Sequence, residues 1–167
     1  RNPNAKIVVV GCYAQLKPEE VGTVDAVALV LGVDEKFNIV ERLAEIESCD
    51  CASLHVSSID SVENFSCAYS CSERTRAFLK VQDGCNYRCS YCTIPLARGK
   101  SRNIEISSLV KQAEEIASRG VKEIVLSGIN IGDFGQTTRE KFIDLLRALD
   151  NVQGIERYRI SSIEPNL

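Results

Sequence analysis

The chain has 167 residues, of which 44% are hydrophobic and 26% are charged, and its formal net charge is −3. These values are ordinary for a soluble globular protein made of one domain or of parts of two. The negative charge argues against a protein that coats nucleic acid. The sequence has no run of about eighteen apolar residues, which excludes a membrane-spanning helix.

The chain contains no methionine, even at position 1, and shows no signal-peptide pattern. We therefore expect a fragment of a longer protein. Eight cysteines without a secretory signal indicate a reducing, cytoplasmic compartment rather than a disulfide framework. The single histidine, His55, lies in a polar stretch, so a Cys/His zinc site lacks its usual partners.

Residues 1–48 show the strand–helix alternation of a parallel sheet. The β-branched run Ala5–Val10 and the apolar run Ala26–Leu31 predict buried strands. Pro18, followed by two glutamates, predicts the start of a helix. A second helix is predicted over residues 34–48, which carry apolar side chains at helical spacing. This pattern indicates the C-terminal part of an α/β domain.

Residues 49–75 are rich in Ser, Asn and Asp and show no periodicity, which predicts a linker. Four cysteines fall in this segment, namely Cys49, Cys51, Cys67 and Cys71. The first two and the last two could bind metal as pairs, but a segment without helices or strands does not hold ligands in place. We therefore interpret these four thiols as incidental.

Residues 76–167 return to alternating strands and helices, a pattern that predicts three βα units in a parallel barrel or an open parallel sheet. The chemistry of such folds lies at the C-terminal ends of the strands. We expect three segments at that rim: the loop at 83–102, the turn Gly128-Ile129-Asn130 and residues 162–164. The expected strands are 77–82, 121–127 and 157–162, and the expected helices are 107–119 and 139–149.

Three cysteines, Cys85, Cys89 and Cys92, lie within eight residues of the loop at 83–102. Closed iron–sulfur clusters normally take four cysteine ligands, and zinc usually takes four, commonly as two spaced pairs. Three ligands without an obvious fourth leave one metal position open for a cofactor or substrate. The spacing predicts a catalytic metal site, and a structural zinc site or a disulfide is the alternative.

The basic residues of the chain are concentrated around these cysteines. Residues 74–102 contain seven basic residues and one acidic residue, a net charge of +6, which leaves −9 for the rest of the chain. A positive segment beside a metal site is what a polyanionic substrate requires. The alternative is a solvated loop with scattered arginines.

The cysteine motif and its flanks resemble one enzyme family. Residues 84–92 (GCNYRCSYC) resemble the signature of radical S-adenosylmethionine enzymes, and their extension at 93–102 (TIPLARGKSR) resembles the methylthiotransferase branch. Residues 10–15 (VGCYAQ) are similar to a motif in the N-terminal domain of that branch. Within the branch, the chain most resembles the enzymes that modify N6-threonylcarbamoyladenosine in tRNA, beside the anticodon. The resemblance covers essentially the whole chain and is weakest in residues 49–70.

The resemblance implies a particular α/β fold and domain order. Residues 1–48 would be the C-terminal part of the methylthiotransferase N-terminal domain, and residues 49–75 the linker. Residues 76–167 would be the first three βα units of a radical-SAM partial TIM barrel. The remaining barrel strands and the C-terminal RNA-binding domain of the family have no counterpart in the chain.

The resemblance also implies the cofactors. Cys85, Cys89 and Cys92 would ligate a 4Fe–4S cluster whose fourth iron binds S-adenosylmethionine. An electron from that cluster cleaves the cofactor into methionine and a 5′-deoxyadenosyl radical, and the protein supplies placement and exclusion of water. No catalytic residue beyond the cluster ligands is implied.

Other residues take cofactor-binding roles in the same resemblance. Tyr91 is expected near the adenine of the cofactor, and Ser127, Gly128 and Asn130 are expected at its methionine moiety. Cys12 is expected to be the last of three ligands of a second 4Fe–4S cluster, which carries the inserted sulfur. The first two ligands of that cluster would lie upstream of this chain.

The leading function is methylthiolation of the C2 carbon of N6-threonylcarbamoyladenosine in tRNA, with Arg98, Lys100 and Arg102 contacting phosphates. The expected partners are tRNA and a cellular electron donor, without DNA and without a membrane. One alternative is the same chemistry on an aspartate of a ribosomal protein. Another is a non-catalytic metal-binding module that grips RNA through its basic loop.

Overall fold

The fold is described from a computed structural model. The structure describes residues 2, 5–44, 46, 51–66, 68–71, 76–161 and 163, without the side chain of Cys71. The chain forms two compact units, and each is described by itself. The first comprises Arg1–Glu63 and Arg88–Gly99, and the second comprises Asn64–Tyr87 and Lys100–Leu167.

The first unit contains a parallel sheet of three strands in the order β1-β2-β3. The central strand has a continuous apolar sequence, and its last three residues are fully buried, as expected for a strand covered on both faces. The two strands predicted in residues 1–48 are therefore confirmed. The strands are β1 (Ile7–Val10), β2 (Val27–Leu31) and β3 (Ser53–His55).

Short helices accompany the first sheet. The helix that starts at Pro18 is confirmed, because proline occupies its first turn. The helix predicted over residues 34–48 is shorter than expected: a 3₁₀ turn, Glu35–Asn38, leads into an α-helix, and residues 45 and 47–48 lie outside the described residues. The first helix of the unit was not predicted. The helices are α1 (Cys12–Leu16), α2 (Pro18–Gly22), α3 (Ile39–Ala44) and, from the cysteine region, α4 (Ile94–Arg98).

The second unit contains a four-stranded sheet in the order β4-β5-β6-β7. The strands β5, β6 and β7 run parallel, and β4 pairs antiparallel with β5. The α/β class and the predicted strands are thus confirmed, with two complete βα units and the strand of a third. The strands are β4 (Tyr69–Cys71), β5 (Arg76–Lys80), β6 (Glu123–Ser127) and β7 (Arg157–Ile160), and the helices are α5 (Ile106–Ser118) and α6 (Phe142–Leu149).

The core of the second unit lies between its sheet and helices α5 and α6. Each helix turns one apolar face inward, as its 3.6-residue spacing predicts, and the alternate residues of β5 and β6 point at the same core. The fully buried side chains include Leu79, Leu109, Ile116, Ile124, Leu126, Leu145 and Leu149. This core fixes the C-terminal ends of β5 and β6, where the predicted site residues follow.

The segment predicted to be an irregular linker, residues 49–75, contains regular structure. Strand β3 pairs with β2, and strand β4 pairs with β5. The expectation that this segment lacks strands is therefore wrong. Each strand has three residues, too few to show a period, and pairing with a longer neighbour decides its conformation. The predicted domain boundaries stay a prediction.

None of the helices in the described ranges combines the length and the apolar character that a bilayer crossing demands.

Candidate metal and cofactor site

The three predicted cluster ligands fall in different compact units. Cys85 belongs to the second unit, five residues beyond the end of β5, whereas Cys89 and Cys92 belong to the first. All three are free thiols, so none is consumed by a disulfide. Cys89 is exposed, and Cys85 and Cys92 are half-buried.

Cys89 and Cys92 flank a tight turn. The backbone N–H of Cys92 donates to the carbonyl of Cys89 at 3.0 Å, and Ser90 and Tyr91 form the tip. Helix α4 begins two residues later, with Pro95 in its first turn, where its missing N–H costs no hydrogen bond. The turn and the helix start together place two thiols on one short, defined segment.

The side chain of Tyr91 is 89% exposed at the tip of this turn. An aromatic ring in that position has its faces open to a planar ligand. The expected contact between Tyr91 and the adenine of the cofactor stays a prediction.

The loop that carries the cysteines, residues 84–101 (the cysteine loop), is closed at its base by a backbone bridge in the second unit. Asp83 and Arg102 exchange two hydrogen bonds, of 3.0 Å and 2.9 Å. Gly84 follows at φ 74°, in a region that residues with a side chain rarely adopt. The chain therefore leaves the sheet through a sharp turn immediately before Cys85.

Charged side chains reinforce the same base. The Asp83 carboxylate, in a residue that is 2% exposed, accepts from Lys80 Nζ at 2.6 Å and from Arg102 Nη2 at 3.4 Å. Its other oxygen accepts from the Gly84 N–H at 2.9 Å. A buried carboxylate is retained only where cations and donors surround it. These contacts hold the two ends of the cysteine loop together.

Arg102, which is predicted to contact phosphate, is buried. Its guanidinium also donates to the carbonyls of Asn64 and Lys100, at 3.0 Å and 3.1 Å, and the residue is 5% exposed. Arg102 therefore stabilises the base of the loop, and the phosphate contact stays a prediction. Of the other two predicted phosphate contacts, Lys100 is exposed, and Arg98 is half-buried in the last turn of α4.

The turn after β6 holds the predicted methionine-binding residues. Ser127 Oγ donates to the Leu79 carbonyl at 3.4 Å, which joins the two strand ends. A Cβ on Gly128 would lie 3.0 Å from both Gln82 Oε1 and Ile131 Cγ1, so only glycine fits without displacing a neighbour. Glycine is favoured at position 128 because neighbouring side chains approach it closely, and not because its backbone adopts an unusual angle.

Two buried oxygen atoms in the same turn accept no hydrogen bond from the protein. They are Asn130 Oδ1 and Asp133 Oδ2, each in a residue that is 5% exposed. Buried acceptors are nearly always satisfied in folded proteins, so each of these atoms calls for a donor from outside the chain. A cofactor amine or hydroxyl group is such a donor, which fits a ligand at the C-terminal ends of β5 and β6.

Cys12 occupies the first position of helix α1 in the first unit, directly after Gly11. Its thiol is free and half-buried. The third rim segment predicted from the sequence falls largely outside the described residues, since only Ile163 of residues 162–164 is described, and it is 50% exposed. The predicted incidental thiols Cys49 and Cys67 also lie outside them, whereas Cys51 is described and exposed.

No three His, Cys, Asp or Glu side chains among the described residues are arranged to hold a metal ion. The donor set of the cysteine loop nevertheless fits an iron–sulfur cluster in its chemistry. Thiolates are the ligands that such clusters take, and Cys85, Cys89 and Cys92 are all unpaired and accessible at least in part.

The sequence prediction missed the buried polar residues beneath the site. Gln82, Asp83, Asn103 and Asp133 are each at most 5% exposed. Gln82 and Asp83 lie just beyond the end of β5, and polar residues at a strand end are a signal that could have identified them. Some of their partners, such as Ser101, Arg102 and Ile129, lie far away in the sequence.

Comparison with known proteins shows which family the chain resembles. A family model described as the Radical SAM superfamily matches residues 79–167. Proteins named threonylcarbamoyladenosine tRNA methylthiotransferase are 37% identical to the chain over 98% of its length, in Thermotoga maritima, Aquifex aeolicus and Bacillus subtilis. The chain spans 37%, 40% and 37% of these three relatives, respectively.

The family match begins within β5 and includes the cysteine loop and the turn after β6. It therefore contains both the three free thiols and the turn with unsatisfied buried oxygens. Enzymes of this superfamily use S-adenosylmethionine and a 4Fe–4S cluster. The chain belongs to the Radical SAM superfamily.

Proposed function

We propose that the chain is part of a tRNA methylthiotransferase that modifies the C2 carbon of N6-threonylcarbamoyladenosine beside the anticodon. The observation that carries this proposal is the similarity to the three named relatives, which extends over 98% of the chain and thus over both compact units. In this proposal residues 1–48 and 76–167 belong to the methylthiotransferase domain and the radical-SAM barrel, joined by residues 49–75. The enzyme would act on tRNA in the cytoplasm and receive electrons from a cellular donor.

Cys85, Cys89 and Cys92 would hold a 4Fe–4S cluster by their thiolates. When bound, the cluster and S-adenosylmethionine supply the one-electron chemistry of the superfamily. The tight turn between Cys89 and Cys92 limits how far these two thiols can separate. The backbone bridge between Asp83 and Arg102 restrains the base of the loop that carries Cys85. The role of these side chains is to bind and orient.

The turn after β6 would bind the amino-acid part of the cofactor. Gly128 lets the backbone approach closely, and Asn130 Oδ1 is a buried acceptor that lacks a donor. An amine of the cofactor can supply that donor. Ser127 joins this turn to the end of β5, and Tyr91 would cover the adenine with its exposed ring.

Cys12 would ligate the second cluster of the enzyme, together with two cysteines from outside this chain. It lies at the first position of α1, and its thiol is free and half-buried. Arg98 and Lys100 would contact tRNA phosphates, which position the substrate without reading its sequence.

The proposal is tested with the intact enzyme after anaerobic reconstitution with iron and sulfide. We expect Cys85→Ala, Cys89→Ala and Cys92→Ala each to abolish the reductive cleavage of S-adenosylmethionine, measured as 5′-deoxyadenosine released. Cys12→Ala should retain that cleavage but form no methylthiolated nucleoside in tRNA. The matched control is Cys51→Ser, which changes an exposed thiol and should leave both reactions intact.

Three results would contradict the proposal. Equal loss of both reactions in Cys12→Ala would refute the separate roles of the two clusters. Methylthiolation of a ribosomal protein instead of tRNA would identify the other branch of the family. A reconstituted cluster whose spectrum does not respond to S-adenosylmethionine would favour the non-catalytic RNA-binding module.

A further inference from the structure

Gln82 is a fully buried polar residue in the second unit, two positions beyond the end of β5. The parallel pairing of β5 with β6 continues up to it, because the N–H of Val81 donates to the Ser127 carbonyl at 2.9 Å. The side chain of Gln82 thus starts where the two strands diverge. Both of its polar atoms are used in hydrogen bonds to other loops.

The amide nitrogen of Gln82 donates toward the start and the end of the cysteine loop. Nε2 lies 2.7 Å from the Gly84 carbonyl oxygen and 2.9 Å from Ser101 Oγ, with a longer contact of 3.1 Å to the Asp83 carbonyl. The Gly84 carbonyl belongs to the same planar peptide group as the nitrogen of Cys85. A hydrogen bond to that oxygen therefore fixes the orientation of the peptide group that enters Cys85.

The amide oxygen of Gln82 points to the turn after β6. Oε1 accepts from the backbone N–H groups of Ile129 and Asn130, both at 2.9 Å. A Cβ on Gly128 would come within 3.0 Å of the same oxygen. This oxygen therefore holds the turn after β6 close to the end of β5 through two hydrogen bonds.

We propose that Gln82 is a positioning residue. It fixes the peptide group that precedes Cys85 relative to the turn after β6, so that the cluster and S-adenosylmethionine are held in the correct relative position. The inference rests on the proposed function and adds a residue to it. The primary amide of Gln82 donates to Gly84 and accepts from Asn130 at the same time. A carboxyl group of the same shape keeps an acceptor, but it has no donor when ionised and only one when protonated.

This difference gives a selective test in Gln82→Glu. The variant retains acceptors for Ile129 and Asn130 and places a carboxylate oxygen against the Gly84 carbonyl. The matched control is Gln15→Glu in the first unit. Gln15 is also buried, at 8% exposure, and also donates to a carbonyl and accepts from a backbone N–H.

The first measurement is steady-state cleavage of S-adenosylmethionine by the reconstituted intact enzyme, together with iron content per chain. We expect Gln82→Glu to keep the iron content of the wild type and to raise KM for S-adenosylmethionine at least tenfold. Gln15→Glu should keep KM within about twofold. Equal KM values in the two variants would overturn the proposal, because a purely structural glutamine affects stability and not cofactor affinity.

A second variant covers the case in which Gln82→Glu does not fold. Ser101→Ala removes one acceptor of the Gln82 amide, together with the 3.4 Å hydrogen bond from Ser101 Oγ to the Asp133 carbonyl, and leaves the other hydrogen bonds of Gln82 in place. We expect a smaller rise in KM, between twofold and fivefold, in the same direction. An unchanged KM in this variant would also overturn the proposal.

The last measurement does not depend on a loaded enzyme. Hydrogen–deuterium exchange of the unloaded chain should show the amides of Ile129 and Asn130 exchanging at least tenfold faster in Gln82→Met. Residues 106–118 of α5 serve as the internal reference and should be unchanged. Exchange at the wild-type rate would refute the contacts of Gln82. A wild-type enzyme that does not cleave S-adenosylmethionine would instead refute the proposed function.

Discussion

Replacing Arg102 by methionine tests whether the buried ion pair holds the base of the cysteine loop. The change removes the guanidinium that donates to Asp83 Oδ2 and to the carbonyls of Asn64 and Lys100. Methionine fills a comparable length with an apolar chain. The loss of stability in this variant therefore reports on charge and hydrogen bonding more than on packing.

The magnitude follows from what remains around the Asp83 carboxylate. Removing one partner of a buried ion pair typically costs about 3–5 kcal/mol. Lys80 Nζ still lies 2.6 Å from Asp83 Oδ2 after the change, so we expect the lower end, about 3 kcal/mol. Asp83→Asn removes the charge that both cations share and should cost about 5 kcal/mol.

The matched control is Arg157→Met. Its guanidinium pairs with Glu123 at 3.0 Å but is 69% exposed, and exposed ion pairs contribute about 0–1 kcal/mol. Urea unfolding is followed by hydrogen exchange of peptides from residues 76–87 and 100–161, which belong to the second unit. The free energy of unfolding is compared between the two variants in the same buffer.

The reasoning fails if Arg102→Met loses no more stability than Arg157→Met. That result would favour the predicted contact between Arg102 and RNA phosphates. Binding of tRNA by the intact enzyme provides an independent check. We expect Lys100→Ala to weaken tRNA binding and the folded Arg102→Met enzyme to bind with the affinity of the wild type.

Three further predictions concern the second unit. Gly128→Ala should lower the free energy of unfolding by about 1–3 kcal/mol in the same urea and exchange experiment, because the new Cβ overpacks against Gln82; an unchanged value would contradict the close approach. Burial raises the pKa of Tyr158 from 10.0 to about 12, with a smaller contribution from a nearby aspartate. The folded state thus favours the protonated phenol, so stability from this group is complete below pH 10 and is lost as the pH rises to about 12. The urea midpoint of Tyr158→Phe, measured across this pH range, should not show that loss of stability. Parallel curves of midpoint against pH for the variant and the wild type would refute the prediction. Ile116→Ala should cost about 2–5 kcal/mol by urea unfolding, since Ile116 is fully buried, whereas Ile143→Ala at a side chain that is 49% exposed should cost far less.

Much of the fold could be predicted from the sequence because the longer elements carry strong periodic patterns. Helix α5 and the strands β2, β5, β6 and β7 begin and end within two residues of their predicted limits. The strands β3 and β4 could not be predicted, since each has three residues and depends on a neighbour for its hydrogen bonds. Helix α1 was missed for a similar reason, with only five residues.

For the candidate site, too, some features could be predicted from the sequence and others could not. The motif that contains Cys85, Cys89 and Cys92 resembles the radical S-adenosylmethionine signature, and the family model matches residues 79–167, which include it. The sequence shows the chemical type of a possible ligand and its spacing. It does not show whether a charged residue near such a motif is exposed, and the structure shows that Arg102 is buried.

The sequence by itself determined the α/β class and the positions of the main strands along the chain, and its cysteine motif predicts which thiols bind metal. Only the tertiary structure showed that Arg102 is buried against Asp83 and that Gln82 joins the cysteine loop to the turn after β6. The physical reason is distance along the chain. Arg102 contacts Asn64 across 38 positions and Gln82 contacts Ile129 across 47, and such pairings arise only when the strands pack side by side.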